Sequence, residues 1–573
     1  MRANVVIVLP PSVACGASRS AKRSRDPRPS RPSTFVVSWS IGSSLRPACT
    51  MRAMRKRHAS LAFFSIFFAA AVADAADIDA DPSNYRDLLD TLKPGDTLVL
   101  APGTYTQGLP ITNLNGTDAA WITVRGPASG APAIFEGDAC CNTVELVNAS
   151  YVAIENLTVD GKGIPGVFGV SAKNGTNNIV HHVRIEGCTF VGQSGSQQTV
   201  AISTKTPTHG WIVRRNVIDG AGTGMYFGNS NYADPFVGAV IEYNLVKRTI
   251  GYGIQIKNQN AWPAHAALPS VDAPRTILRH NVFLKDDQPS PDGARPNLLV
   301  GGPPASGPGA GALTEIYGNV FVHNTSESLL QATGRVSVHD NVFVDVADTA
   351  LRLTQHDGFP LLYARVYDNT FYAAKRAVVF GSEATEGDLV AGNLVFADEA
   401  VSGPSMGTGS NLVDVAANAA NFVQKPSMVL GDMDFYPLPG KAETSPLDTS
   451  AFVDDSEHAC DFNGSPRKDF AFRGAYAGAG TNPGWKLAEA IKPTVVCGGG
   501  SGGVGGSGGG GASGSASGSG GAGGSGGAGG SGDAVDAEGC GCRLGTNEPP
   551  GPAAPVLLGL LLSLGRRRRR GSA

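Results

Sequence analysis

One phrase returns through the middle of the chain: Val213-Arg214-Arg215-Asn216-Val217-Ile218, then Ile241-Glu242-Tyr243-Asn244-Leu245-Val246, then Leu278-Arg279-His280-Asn281-Val282-Phe283. It continues as Ile316-Tyr317-Gly318-Asn319-Val320-Phe321, Val338-His339-Asp340-Asn341-Val342-Phe343, Val366-Tyr367-Asp368-Asn369-Thr370-Phe371 and Val390-Ala391-Gly392-Asn393-Leu394-Val395. Asn156-Leu157-Thr158-Val159 opens the series, and Gly187-Cys188-Thr189-Phe190 puts Cys in the Asn slot. From Asn156 to Asn393 the gaps are 32, 28, 28, 37, 38, 22, 28 and 24 residues. A unit of this length with turn residues and no helical period indicates a solenoid.

Apolar and polar residues alternate before each Asn, and a second alternation follows about ten residues later, as in Ile254-Gln255-Ile256 and Leu351-Arg352-Leu353. Period-two alternation predicts strands with one face inward. Asn tolerates the left-handed conformation and bonds to nearby backbone, so it is expected at the bend between strands. Three short strands per turn predict an all-β, right-handed parallel β-helix of about nine or more rungs, about 40 Å long at about 4.8 Å per rung. A column of stacked Asn side chains should run along one corner.

The chain has 573 residues, with 76 Gly, 37 Pro, 17% charged residues and a formal net charge of −3. No basic stripe interleaves with aromatics inside the repeat, which argues against a nucleic-acid partner. Residues 1–50 lack periodicity and suggest an extension ahead of the true start. Residues 51–75, with Met51 or Met54 before a basic and then an apolar stretch, form a signal peptide. Export permits disulfides, and Cys460 with Cys497 is the expected pair; the partners of Cys140 and Cys141 cannot be assigned.

A short amphipathic helix is expected over 81–92, capped by Asp81 or Ser83. Lys93-Pro94-Gly95-Asp96 and Pro102-Gly103-Thr104-Tyr105 follow it. This opening resembles the entry to the pectate-lyase-like β-helix superfamily, especially lyases of the chondroitinase B and alginate lyase type. The resemblance spans about residues 77–400, and it implies that the helix plugs the open end. Residues 76–400 are therefore assigned to the solenoid, 401–497 to a C-terminal cap and 498–538 to a flexible Gly/Ser linker. Beyond these, Gly539-Cys540-Gly541-Cys542, the apolar run 556–564 and Arg566–Arg570 resemble a myxosortase-type sorting signal. That resemblance implies transient membrane anchoring, processing by sorting machinery and delivery to the cell surface.

The two longest repeats place extra residues around one strand. Ile254–Ile256 and Lys257 are followed by a loop, 258–274, with Trp262 and His265. A second loop, 285–296, carries Asp286, Asp287, Asp292 and Arg295; a third runs over 301–311. Loops on a rigid scaffold are where function concentrates. With Ile254 and Ile256 inward, Gln255 and Lys257 face out. In the lyases that the chain resembles, a Lys is the base, an Arg assists and calcium neutralises a uronate carboxylate. The resemblance thus makes Lys257 the candidate base and Arg295 or Arg352 the assisting cation. His356, next to Asp357 in a turn, is a separate acid/base candidate. Trp262, His265 and Gln255 are candidate polysaccharide contacts, and Asp286, Asp287 and Asp292 candidate calcium ligands. A lyase on a uronic-acid polymer and a non-catalytic glycan-binding surface protein both fit these residues. A monomer is expected.

Overall fold

The computed structural model describes residues 75–498 except 176, 177, 266 and 406. The signal peptide, the linker beyond 498 and the sorting signal with Cys540 and Cys542 lie outside the described residues. Three parallel sheets wind into a right-handed parallel β-helix. The first has fifteen strands, thirteen of them in one order from Asp77–Ala80 to Thr408–Gly409, with Thr208–His209 and Phe236–Val237 paired beside them. The second starts at Gly103–Tyr105 and ends at Leu412–Asp414; the third starts at Leu109–Thr112. In the last rungs the second and third merge, because Thr370–Phe380 crosses the corner as one strand. Ala373 takes a positive φ of 54° there. Among the described residues no helix is long and apolar enough to cross a membrane.

The recurring phrase explains its own parts. Phe283, Phe321, Phe343 and Phe371 point inward and stack at 4.7–4.9 Å between centroids. The Asn side chains form the expected column, from Asn216 through Asn244, Asn281, Asn319, Asn341, Asn369 and Asn393 to Asn411. From Asn216 to Asn393 each Nδ2 donates to the Oδ1 one rung on and to a carbonyl one rung back, as Asn319 does to Asn341 (3.0 Å) and Leu278 (2.9 Å). Asn216 through Asn393 are buried, so these bonds satisfy groups that water cannot reach.

Two expectations need correcting. The left-handed residue is not the ladder Asn but the one before it: Arg215, Tyr243, His280, Asp340 and Asp368 all have φ between 52° and 57°. Asn156 occupies that preceding position (φ 57°), and register puts buried Leu157 beside Cys188 in the ladder column. The column therefore begins at Cys188, whose N–H donates to Asn216 Oδ1 (2.9 Å). The N-terminal helix covers Tyr85–Leu89 only and is preceded by Asn84 rather than by a capping Asp81 or Ser83 side chain. Tyr85 closes the end, edge-on to Tyr105 and Phe135.

Of residues 401–497, the first continue the solenoid in strands Leu394–Ser402 and Leu412–Asp414. The rest run back along its flank. Val423, Met433 and Phe435 pack on the outward Val320, Val322, Val342 and Val344 of the second sheet. Phe452 stacks on Tyr367, Arg467 pairs with Asp340, and Val495 reaches Tyr243. Cys460 and Cys497 are joined, as expected, and Cys140 and Cys141 bridge each other.

Candidate functional site

The outward face of the third sheet groups Gln255 and Lys257 with further polar side chains. Ser171, Ser203, Tyr226 and Gln255 stand in register on successive rungs. Two residues further along each strand come Lys173, Lys205, Gly228 and Lys257, which keep the same outward parity. This makes a column with three lysines in four rungs, about 14 Å from end to end. Lys173 pairs with Glu145. Lys205 lies over the rings of Phe168 (5.9 Å) and Tyr226 (5.7 Å). Lys257 lies over Tyr226 (6.0 Å) and Tyr232 (5.1 Å), so Tyr226 is shared by two cations.

Around Lys257 the chain folds back on itself. The turn after Thr349–Leu353 starts three rungs away yet returns, held by the His356–Phe359 bridge and by Phe359 edge-on to Tyr232 at 5.3 Å. Asn258 fixes it from beneath, its Nδ2 donating to the His356 carbonyl (3.4 Å) while its Oδ1 accepts from Gly302 (2.8 Å). Tyr232 donates its hydroxyl to Asp357 Oδ2 (2.7 Å); burial, then that carboxylate, push the phenol up to about 12, so it stays protonated. His356 Nδ1 sits 3.2 Å from Asp357. Burial holds the imidazole below its ordinary pKa against the pull of Asp357, and Lys257 and Arg295 lower it further. His356 is therefore neutral near pH 7.

Lys257, His356 and, electrostatically, Arg295 thus share one neighbourhood with Gln255, which is itself buried. The Arg295 guanidinium lies over Tyr252 at 5.5 Å and donates to the Asp292 and Ala294 carbonyls. Arg352 is three register steps from Gln255, through Leu299 and Gln331, which is about 14 Å. The aspartates do not converge. Asp286 accepts from Gln288, Asp287 contacts His323 (3.0 Å) and Asp292 accepts from Gln198 (3.3 Å). Among the described residues these three carboxylates do not gather within ligand distance of one another.

Trp262 and His265 belong to the other side. The loop 258–274 crosses toward the first sheet, where Trp262 bonds Gln259 (2.9 Å) and lines a shallow pocket with Phe236, Thr276, Thr314 and Arg335. A Cβ on Gly309 would collide with the Trp262 ring, so glycine is required where loop 301–311 meets it. Loop 285–296 stands on the opposite edge, where Gln197 bonds the Gly293 carbonyl and the Asp292 N–H. The third sheet is thus walled on both sides.

Sequence reasoning missed Lys173, Lys205, Tyr226 and Tyr232. The lysines left a signal, since Ala172-Lys173, Thr204-Lys205 and Ile256-Lys257 end equivalent strands. Tyr232 left none.

No family model matches the chain and no curated protein matches it. Solved structures similar to it include the PL6-family alginate lyase AlyGC (15% identity, 59% of this chain, TM-score 0.37). The chain spans about half of that enzyme, 51% of its length. The PL6-family polysaccharide lyase Pedsa3628 from Pseudopedobacter saltans matches at 13% identity over 60% of this chain and 94% of its own, TM-score 0.38. The A-module of the Azotobacter vinelandii mannuronan C-5 epimerase AlgE4 matches at 16% over 55% and 91%, TM-score 0.36.

Proposed function

We propose that this protein binds an anionic polysaccharide along the lysine column of the third sheet and cleaves it by β-elimination at Lys257. The observation that carries the reading is the convergence of Lys257, Tyr232, His356 and Asp357 at one end of that column. Lys257, acting in its neutral amine form, takes the proton beside a uronate carboxylate and becomes the ammonium, and the electron pair forms the carbon–carbon double bond as the glycosidic carbon–oxygen bond breaks. Tyr232, protonated at neutral pH, supplies the proton to the leaving oxygen. Arg295 and Lys205 face the carboxylates, where cations offset the developing enolate charge. The signal at 51–75 and the pattern at 539–573 support export and display at the cell surface.

The test is to incubate the purified protein with alginate, pectate and chondroitin sulfate, with and without calcium, and follow absorbance from unsaturated ends. Lys257→Ala should cost about 10²–10⁴-fold in rate. Product formation unchanged in that variant, or absent on every polymer, ends the cleavage reading. The second reading, a non-catalytic glycan-binding surface protein, is favoured by the way Lys205 and Lys257 lie against aromatic rings. It expects saturable binding without product, retained in Tyr232→Phe.

A further inference from the structure

A second cluster lies on the first sheet, away from the lysine column. His181 and His209 are register partners on neighbouring rungs and stack at 4.9 Å. His182 follows His181 at a left-handed φ of 49° and stacks on Tyr151 at 4.5 Å. That backbone kink sends consecutive imidazoles to the same side of the strand, which an ordinary strand would forbid. Gly210 makes room, because a Cβ there would lie 2.9 Å from the His182 ring. As a result His181 Nδ1 and His182 Nδ1 are 2.8 Å apart, and one nitrogen from each of the three rings falls within 4.8 Å of the others. Among the described residues no other group of three or more His, Cys, Asp or Glu residues gathers this way.

We propose that His181, His182 and His209 form a binding site for a divalent transition metal of the zinc class. Zinc–imidazole bonds of about 2.0–2.1 Å in a tetrahedron set ligand nitrogens about 3.3 Å apart, so modest ring rotations complete the set. All-imidazole ligation selects zinc, copper or nickel over calcium and magnesium, which take oxygen. His209 is also prepared as a ligand. His209 Nε2 is buried with no hydrogen-bond partner, while the Ala267 backbone engages the ring and supports its basicity. Ala267 lies on the loop that leaves the third sheet just after Lys257, so an ion here would also anchor one wall of the groove.

The purified protein, stripped with EDTA and dialysed, is titrated with Zn²⁺ and, separately, Co²⁺ and Ca²⁺. The expected result is one Zn²⁺ per chain by elemental analysis, a rise in melting temperature, visible Co²⁺ absorption bands of nitrogen ligation, and no response to Ca²⁺. His209→Gln and His182→Asn should each weaken Zn²⁺ binding at least about 100-fold. Asn suits the left-handed backbone at 182, so that variant separates ligand loss from misfolding; metal-free melting of both variants should match the wild type. Stoichiometry below one-tenth, or binding unchanged in both variants, overturns the proposal and leaves the rings as a stacking device only. Cleavage or glycan binding along the lysine column, assayed in EDTA, is a separate readout, so either proposal can fail without the other.

Discussion

Two long strips of this solenoid use polar side chains in opposite ways. Along the Asn corner they are buried, bonded rung to rung and covered by the returning C-terminal segment. Along the third sheet they face outward between two loop walls, with lysines lying against aromatic rings rather than locked in a ladder. The first strip sets the geometry and the second presents it. Loss of a polar group should therefore destabilise the first strip and leave the second folded but weakened as a binding surface.

The largest effect is expected where the C-terminal segment is pinned to the corner. Arg467 is buried, pairs with Asp340, lies 3.5 Å from Asp368 and donates to the Gly474 carbonyl. Arg467→Ala leaves two buried carboxyl groups without their cation and should cost about 3–5 kcal/mol in urea denaturation. A loss below about 1 kcal/mol would break the contrast, since the corner would then tolerate what the open face tolerates. Next is Asn319→Ala, which strands the Asn281 N–H, takes one of two acceptors from Asn281 Nδ2 and leaves Asn341 Oδ1 with only the backbone N–H of residue 319. Each stranded buried group costs about 1–3 kcal/mol, so a total of about 3 kcal/mol is expected. Lys205→Ala should do the reverse. Its unfolding free energy should change much less than in either corner variant, whereas uronate polymer binding should weaken several-fold and lose part of its salt dependence.

These two strips were unequally legible in the sequence. The corner repeats its chemistry every rung, so a column of Asn and the period of the fold could be read from spacing alone. Even there the bend was assigned one residue late, because Asn both favours the left-handed region and hydrogen-bonds, and the ladder uses only the second property. Lys257 and Gln255 followed from alternation. Tyr232 and Asp357 did not, because a turn three rungs away folds back to join them, and nothing local encodes that return. The aspartates of loop 285–296 are neighbours in sequence, and each has a different partner in space, which spacing does not encode. His181 and His182 were invisible for a related reason. Alternation sends neighbours to opposite faces, and only the positive φ at His182 cancels it.

The smallest effect sits on the boundary between the strips, where strand Val320–Asn324 turns toward the third sheet. His323 Nδ1 lies 2.7 Å from Asp345 and Nε2 lies 3.0 Å from Asp287. Burial opposes the charged imidazole, but the two carboxylates outweigh it and the net pKa is raised. A histidine raised in the folded state contributes stability that is fully present below its unfolded pKa of about 6.5 and is lost as pH rises through the higher folded value. Asp287 is 83% exposed, so solvent screens that half of the pair and the contribution should stay below about 1 kcal/mol. The stability gap between wild type and His323→Gln should accordingly be widest near about pH 6 and close toward about pH 9. A gap that stays constant, or widens with pH, would mean that His323 is held neutral like the corner histidine His280, which burial and then Lys492 push down to about 3. The boundary would then belong to the buried strip rather than to the open one.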